Sequence, residues 1–253
     1  MKKVSWKFND SIESLLANNN ELNINLSLES RDKIFDSSIS FFSSDISNID
    51  SLKLLRFLSI DEINHYNSIE SDGQKRKFLD SNICSKYSIA NLSKYQNLED
   101  IEIYRGIFGQ PYVIFQQYTK FDISIANKII DSKNIACAIA FDKKFPMAID
   151  LENLDNKNAK EIKTQLTNFE IDNFIKSDQD LILLWSVKEA ISKITMSGLY
   201  ADFKIYEISE MIKKDDHIEC YFKYFSQYKT YSKIIDKMLL TIICHKDYNI
   251  LHI

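Results

Sequence analysis

Two acidic residues, Asp150 and Glu152, stand two positions apart in the segment PMAIDLENLD (146–155). The segment follows an apolar run, NIACAIAF (134–141), that is typical of a buried strand. On a strand, residues i and i+2 share one face, so the two carboxylates would repel each other and raise each other's pKa. A bound Mg²⁺ would remove that conflict, whereas the simpler alternative is a strand end running into a solvated loop.

A second group of charged residues lies in LLWSVKEAISK (183–193), which has the spacing of an amphipathic helix. The side of this helix opposite its apolar face would carry Trp185, Lys188, Glu189, Ser192 and Lys193. An ordinary solvated face with a Glu189–Lys193 ion pair is one interpretation. Trp185 fits that interpretation poorly, since large aromatic side chains are seldom fully hydrated, and it favours the wall of a cleft.

Three carboxylates and a lysine together indicate metal-assisted phosphoryl chemistry. Metal ions bridge pyrophosphate oxygens, and a lysine neutralises the charge that develops on a departing phosphate.

The elements that must position these residues mix helices and strands, which predicts an α+β fold. We expect strands at 21–30, 101–106, 121–126, 134–141, 201–209, 217–225 and 238–246, a Ser/Asp-rich loop at 29–50, and an extended segment entered by a turn at 108–113. Helices are expected at about 50–69 and 74–95, separated at Asp72-Gly73, and at about 157–176 and 179–196. The turn at 142–146 is the expected boundary between an N-terminal half, 1–143, and a C-terminal half, 144–253.

Composition excludes several classes of function. The 253 residues are 45% hydrophobic with a net charge of −4, which supports a real core and gives no overall attraction to nucleic acid or to anionic membranes. No apolar run is long enough for a signal peptide or a transmembrane helix, so we expect a cytoplasmic protein. Four widely spaced cysteines without a CxxC pair are expected to be reduced thiols.

The two charged segments resemble the Sfp-type 4′-phosphopantetheinyl transferase family. Its patterns G-[IV]-D-[ILV]-E and W-x-x-K-E-[AS]-x-x-K are similar to AIDLE (148–152) and WSVKEAISK (185–193). Two weaker matches lie upstream, where GQP (109–111) resembles a G-K-P turn and FDISIA (121–126) resembles an F-N-[IL]-S-H-[ST] strand. The resemblance extends over roughly residues 55–250, and the first 50 residues match no part of the family pattern.

The resemblance implies two pseudo-symmetric α/β halves with coenzyme A and Mg²⁺ bound in the cleft between them. It also implies transfer of the 4′-phosphopantetheine arm to a serine of an acyl, peptidyl or aryl carrier protein by a monomer, with release of 3′,5′-ADP. By motif position, Asp150, Glu152 and Glu189 would bind the metal, and Glu189 would help to deprotonate the acceptor serine. The expected phosphate contacts come from Lys193, Ser124 and, as a weaker candidate, Lys188.

Two positions depart from the family pattern, since Gln110 replaces the G-K-P lysine and Ile125 replaces the histidine of S-H-[ST]. A charge-assisted contact contributes about 1.5–3 kcal/mol, so each loss would weaken coenzyme A binding tenfold or more. Lys75 and Arg76, at a helix start, are candidates to compensate, although a solvated basic turn explains them equally well.

Two alternatives belong to other classes. A transferase-like protein that only docks a carrier protein would explain Gln110 and Ile125, but it leaves the four retained residues Asp150, Glu152, Glu189 and Lys193 without a role. A Mg²⁺-dependent nuclease would typically carry a lysine two residues after the second acid, where this chain has Leu154.

Overall fold

The computed structural model describes residues 21–30, 33–45, 51–115, 120–131, 133–155 and 159–252. The N-terminal part contains strands β1 (Glu21–Ser30), β2 (Lys33–Asp45), β3 (Glu102–Arg105), β4 (Pro111–Ile114), β5 (Phe121–Ile130) and β6 (Lys133–Asp142), and helices α1 (Ser51–Leu55), α2 (Ile60–Ser68) and α3 (Asp72–Ser93). The C-terminal part contains helices α4 (Ala159–Thr164), α5 (Asn168–Phe174) and α6 (Asp178–Ile194), and strands β7 (Ala148–Asn153), β8 (Ile208–Lys213), β9 (Ile218–Phe222), β10 (Tyr228–Ile235), β11 (Met238–His245) and β12 (Asn249–His252). None of the described helices is both long and apolar enough to cross a membrane.

Two five-stranded antiparallel sheets form the framework of the protein. Their strand orders are β12-β1-β2-β6-β5 and β7-β11-β10-β9-β8, and β3 pairs with β4 in a separate two-stranded sheet. Helix α3 packs on β2 and β6, and helix α6 packs on β7 and β11. The α+β fold predicted from the sequence is confirmed.

The two halves repeat one arrangement in the same chain order. Each has a first strand, a short capped helix, a long buried helix, two short strands and a closing hairpin. The β5–β6 and β10–β11 hairpins both turn at an aspartate with positive φ, 47° at Asp131 and 52° at Asp236. The chain also leaves both long helices through a left-handed residue, with φ of 60° at Lys94 and 56° at Met196. The structure therefore contains the two pseudo-symmetric halves that the resemblance implies.

The last strand does not stay with its own half. Strand β12 pairs with β1 at the edge of the first sheet, with Leu28 opposite Ile250. The division at residues 143 and 144 remains a prediction, and the end of the chain ties the two parts together.

A buried lysine–glutamate pair stabilises each half. In the first half, Glu62 closes a capping box with Ser59 at the start of α2, and its carboxylate lies 2.7 Å from Lys86 of α3. Lys86 also donates hydrogen bonds to the backbone oxygens of Leu98 and Ile101. The lysine side chain is completely buried, so these partners compensate for the water that it has lost.

The second half has an equivalent buried lysine–glutamate pair. Glu170 closes a capping box with Thr167 and lies 2.8 Å from Lys188 of α6, with both side chains completely buried. Lys188 also donates to the backbone oxygens of Gln165 and Phe203. In both halves the remaining carboxylate oxygen accepts a backbone N–H at 2.9 Å, from Ile103 and from Ile208. The pair thus joins a short helix, a long helix and an edge strand.

The predicted loop at 29–50 is wrong, because residues 33–45 form strand β2. Most of its serines are buried, and Ser38 packs against α3, where Ser88 donates to its backbone oxygen at 2.6 Å and Asn91 donates to its hydroxyl at 2.8 Å. Small hydroxyl side chains let the helix approach the strand closely, so a serine-rich composition here indicates a packed interface.

Other boundaries also differ from the sequence predictions. Asp72 and Gly73 open helix α3 instead of separating two helices, and the helix expected at 50–69 is two helices, α1 and α2. The helix expected at 157–176 is likewise two short helices, α4 and α5. Within the strand expected at 201–209, residues 203–206 form a 3₁₀ turn with Phe203 and Tyr206 buried, and the strand starts only at Ile208. Strands β10 and β12 were not predicted.

Replacing Lys86 with methionine is expected to destabilise the protein by about 3–5 kcal/mol, because it leaves the buried carboxylate of Glu62 without its cation. The measurement is urea unfolding followed by circular dichroism. Lys237→Met is the matched control, since the Lys237–Asp131 pair is 49% and 60% exposed and should contribute less than about 1 kcal/mol. Equal losses for the two variants would contradict the proposed role of the buried pair.

Candidate functional site

Strand β7 carries the predicted acidic pair through the middle of the molecule. It pairs with β11 on one side and packs beside β5 of the other half, where the Ile149 N–H donates to the Ser124 hydroxyl at 3.2 Å. Asp150 is 4% exposed and Glu152 is 2% exposed, while Ile149 and Leu151 pack in the core between the halves. The solvated-loop interpretation of the two acids is therefore wrong.

Asp150 is held by two residues of helix α6. The Ser186 hydroxyl donates to its Oδ2 at 2.7 Å, and the Lys193 ammonium lies 2.7 Å from its Oδ1. Lys193 also donates to the backbone oxygen of Ile149 at 2.9 Å. The lysine thus pairs with the strand acid, and not with Glu189 on its own helix as an exposed i, i+4 pair would.

Glu152 joins both halves of the molecule. Its Oε1 accepts from Lys128 of β5 at 2.7 Å and from the indole N–H of Trp185 at 3.1 Å. Its Oε2 is buried and has no hydrogen-bond partner among the described residues. Burial raises the pKa of Glu152, the charge of Asp150 raises it further, and Lys128 opposes both effects.

Glu189 lies one helical turn before Lys193 and is half-buried. Burial, followed by the charge of Asp150, raises the pKa of Glu189 to about 7, and Glu152 contributes in the same direction. Burial opposes the charged form of Lys193, but Asp150 and Glu189 outweigh it and hold the pKa of that lysine above its ordinary value. The three carboxylates and the lysine therefore form one electrostatically coupled group.

The chemistry of this group suits a hard cation. Neighbouring carboxylates raise the pKa values of Glu152 and Glu189, and one buried carboxylate oxygen has no hydrogen-bond partner among the described residues. Within the part of the chain that the structure describes, no three His, Cys, Asp or Glu side chains are already arranged as metal ligands. Lys193 and Lys128 now neutralise Asp150 and Glu152. Cation binding would therefore require both lysines to move away from these two acids.

A cavity of about 410 Å³ opens beside this group, between the two halves. Glu189 and Lys193 lie on one wall, and residues of β5 and of the β3–β4 turn lie on the other. Its lining includes Arg105, Phe108, Gly109, Gln110, Asp122, Ser124, Ile125, Lys143, Glu189, Lys193, Met196 and Gly198. Both halves therefore contribute charged and polar side chains to one concave site.

Gln110 and Ser124 lie on the cavity wall, as the resemblance implies. The Gln110 side chain folds back on its own turn and accepts the Phe108 N–H at 3.0 Å. A Cβ at position 106 would lie 2.3 Å from the Gln110 Nε2, so a side chain there would displace the Gln110 amide from this turn. Gln110 therefore closes the turn and presents no positive charge to the cavity.

Three of the candidate phosphate-binding residues do not line the cavity. Lys188 is completely buried against Glu170 on the opposite side of α6, so its expected role at a phosphate is wrong. The pairing with Glu170 is an inward-facing structural contact that helical periodicity alone does not reveal. Lys75 lies over the Tyr66 ring, and Arg76 lines a separate depression of about 200 Å³ with Ile129 and Asn134.

Sequence reasoning missed four polar residues of the site: Arg105, Lys128, Lys143 and Ser186. Lys128 lies four residues after Ser124 on the same face of β5, and this period-2 spacing in an apolar strand was the available signal. Arg105 ends strand β3 and Lys143 lies in the turn after β6, and neither forms an ion pair with a described residue. Their meeting depends on how the two halves pack, which short-range spacing cannot show.

The comparisons with known proteins give the same family as these residues. Residues 146–248 match the model of the 4′-phosphopantetheinyl transferase superfamily. A Saccharomyces cerevisiae protein named L-aminoadipate-semialdehyde dehydrogenase-phosphopantetheinyl transferase is 23% identical over 145 residues. That alignment covers 53% of this chain and 53% of the yeast protein, so the chain spans about half the length of that relative.

Two solved structures are also similar to part of the chain. A holo-(acyl-carrier-protein) synthase from Bacillus anthracis, in complex with CoA (3′,5′-ADP), is 14% identical with a TM-score of 0.34, covering 46% of this chain and 99% of that one. The holo-[acyl-carrier-protein] synthase from Thermotoga maritima is 10% identical with a TM-score of 0.32, covering 51% and 69%. These scores are too low to place any residue of the site.

The matched segment, residues 146–248, contains strand β7 with Asp150 and Glu152 and helix α6 with Glu189 and Lys193. All four residues of the coupled group lie within the segment that the family model matches. Residues 146–248 are therefore similar to the 4′-phosphopantetheinyl transferase superfamily.

Proposed function

We propose that this protein transfers the 4′-phosphopantetheine arm of coenzyme A to a serine of an acyl, peptidyl or aryl carrier protein and releases 3′,5′-ADP. The observation that carries the proposal is the coupled group of Asp150, Glu152, Glu189 and Lys193 beside an inter-half cavity. The serine oxygen forms a bond to the phosphorus of the arm, and the bond from that phosphorus to the oxygen of 3′,5′-ADP breaks.

In this proposal Asp150, Glu152 and Glu189 would hold Mg²⁺. The ion would neutralise charge on the pyrophosphate of coenzyme A. The buried Oε2 of Glu152, which has no hydrogen-bond partner among the described residues, and the raised pKa values of Glu152 and Glu189 support that assignment. Trp185 would hold the Glu152 carboxylate in place through its indole N–H.

Proton and charge transfer are assigned to helix α6. Glu189, with its pKa raised to about 7 chiefly by burial, lies on the cavity wall where it could accept the proton of the acceptor serine, directly or through water. Lys193 lines the same wall and would stabilise the charge on the departing 3′,5′-ADP phosphate. Ser124 lines the same cavity and would contact the nucleotide phosphates.

Arg105 and Lys143 supply positive charge that the Gln110 and Ile125 positions lack. Both line the cavity, so they are better candidates for phosphate contacts than Lys75 and Arg76. Because one chain provides both walls, the proposal includes an Sfp-type enzyme that is active as a monomer.

A docking protein without transferase activity is the second candidate. Asp122 adds a carboxylate to the same cavity, and Gln110 leaves the G-K-P position uncharged. Both features would weaken binding of a polyanion such as coenzyme A. A transfer assay separates the two candidates.

Incubation with coenzyme A, Mg²⁺ and a panel of apo carrier proteins is expected to add one phosphopantetheine to a carrier serine, detected by mass spectrometry. Asp150→Asn should lower the rate by about 10²–10³-fold, because it removes a charge held at the reacting phosphate. Asp155→Asn is the matched control, since Asp155 is an exposed carboxylate just beyond the same strand, and it should keep the wild-type rate. Absence of labelling with every carrier at millimolar coenzyme A would favour the docking protein.

Metal binding can be measured without turnover. Electron paramagnetic resonance of Mn²⁺ is expected to show a bound ion, with affinity lowered at least tenfold by Glu152→Gln and unchanged by Asp155→Asn. Equal Mn²⁺ affinity in all three proteins would remove Glu152 from the metal site.

Arg105→Met and Lys143→Met are each expected to weaken 3′,5′-ADP binding about tenfold, because each removes a charge-assisted phosphate contact. Lys144→Met is the control, since Lys144 is exposed and lies next to Lys143 without lining the cavity. Isothermal titration calorimetry at two salt concentrations measures these affinities. Losses of equal size in all three variants would indicate a general charge effect and no specific contact.

A further inference from the structure

Strand β5 continues the wall of the cavity away from the acidic group. Lys128 of β5 contacts Glu152 of β7. Four residues earlier on β5, Ser124 accepts the N–H of Ile149, which lies three residues before Glu152. The two strands therefore run side by side in the same direction. Asp122 lies two residues before Ser124 on the same face, about 7 Å further from the acids, and it lines the cavity there.

A lysine neighbours the Asp122 carboxylate. Asp122 is opposite Phe141 in the β5–β6 ladder, and Lys143 follows the end of β6. The Lys143 N–H donates to the backbone oxygen of Lys120 at 2.8 Å, which holds this lysine beside the start of β5. Burial raises the pKa of Asp122, and the Ile123 N–H and the charge of Lys143 oppose that rise. The charges of Asp122 and Lys143 therefore offset each other inside the cavity.

The wall that β5 and the β3–β4 turn form has little net charge. Among the described residues that line the cavity, Arg105 and Lys143 carry its positive charge and Asp122 carries its negative charge. Gln110 and Ile125 line the same wall and are uncharged. A phosphate group at this wall would gain contacts with the two cations and would be repelled by the carboxylate.

The charges of coenzyme A indicate which of its groups meets this wall. This step rests on the proposed function, in which the pyrophosphate lies at Glu189 and Lys193. Coenzyme A has one other charged group, the phosphate on the 3′-oxygen of its ribose, and its pantetheine arm is uncharged. The 3′-phosphate is therefore the group that Asp122 would repel. An unphosphorylated ribose presents hydroxyl groups instead, and a carboxylate accepts hydrogen bonds from hydroxyl groups.

We propose that Asp122 removes the need for the 3′-phosphate, so that the protein also transfers the arm from 3′-dephospho-coenzyme A. The serine oxygen forms a bond to the phosphorus that carries the arm, and the bond from that phosphorus to the oxygen of 5′-AMP breaks. The serine proton passes to Glu189, and 5′-AMP leaves in place of 3′,5′-ADP. Asp122 is thus a residue that determines specificity, because it cancels the attraction that a third phosphate would otherwise gain.

Calorimetric titration of the full chain with 3′,5′-ADP and 5′-AMP measures the contribution of the third phosphate. The wild type is expected to bind the two nucleotides with affinities that differ by less than about threefold. Asp122→Asn should bind 3′,5′-ADP about tenfold tighter and leave 5′-AMP affinity within about twofold, because it removes a repulsion that acts mainly on the 3′-phosphate. The asparagine keeps an oxygen that can accept the Ile123 N–H, as Asp122 does at 3.0 Å.

Transfer to an apo carrier protein gives a second measurement. The wild type should use 3′-dephospho-coenzyme A with a kcat/KM within about threefold of that for coenzyme A, and Asp122→Asn should prefer coenzyme A by about tenfold. Asp142→Asn is the matched control, since Asp142 ends β6 next to Lys143 and does not line the cavity. Its asparagine keeps an acceptor for the Lys144 N–H, and both preferences should stay at their wild-type values.

A wild-type preference for 3′,5′-ADP of about tenfold or more would overturn the proposal. Equal gains for both nucleotides in Asp122→Asn would also overturn it, as would the same gain in Asp142→Asn, since either result would indicate a general charge effect. A wild-type protein that binds neither nucleotide and labels no carrier protein from either donor would contradict the proposed function itself. The two failures are therefore distinguishable.

Discussion

Mutual repulsion among Asp150, Glu152 and Glu189 is the constraint on which the site depends. Asp150 and Glu152 are almost fully buried, the charge of Asp150 raises the pKa of Glu152, and both charges raise the pKa of Glu189. Such a group persists only where positive charge compensates for it. Lys193 and Lys128 supply that charge, at 2.7 Å from Asp150 and from Glu152. The same lysines hold the place of a cation, so metal binding would have to displace them from the two acids.

Neutralisation of the buried Glu152 carboxylate also helps to hold the two halves together. Lys128 belongs to β5 of the first half, and Glu152 belongs to β7 of the second. Beside them the Ile149 N–H donates to the Ser124 hydroxyl. Strands β5 and β7 are not paired through their backbones, so these side-chain contacts and the apolar core between the halves fix their spacing. A change in this charge pair would therefore alter both the chemistry and the width of the cavity.

The sequence was sufficient for contacts that are local or that follow strand and helix periods. Asp150 and Glu152 share one face of β7, and Glu189 and Lys193 lie one turn apart on α6, as their spacing predicts. The sequence was insufficient where tertiary packing decides the direction of a side chain. Lys188 is adjacent to Glu189 but points inward to Glu170, which is 18 residues earlier. The serines of β2 indicated a loop, although close approach of α3 makes them part of the core.

Comparison of the two halves explains why the acidic site among the described residues has its carboxylates in the second half. The hairpin and helix equivalences (Asp131 with Asp236, and Lys86 with Lys188) place Phe42, Ser44, Tyr87 and Asn91 at the positions of Asp150, Glu152, Glu189 and Lys193. The first half keeps the buried lysine–glutamate pair that builds the fold but has no carboxylate at the three acidic positions. The contacts that stabilise each half are therefore separate from the acidic residues that form the site. The first half retains the supporting contacts and contributes Arg105, Ser124 and Lys128 to a site whose acids come from the second.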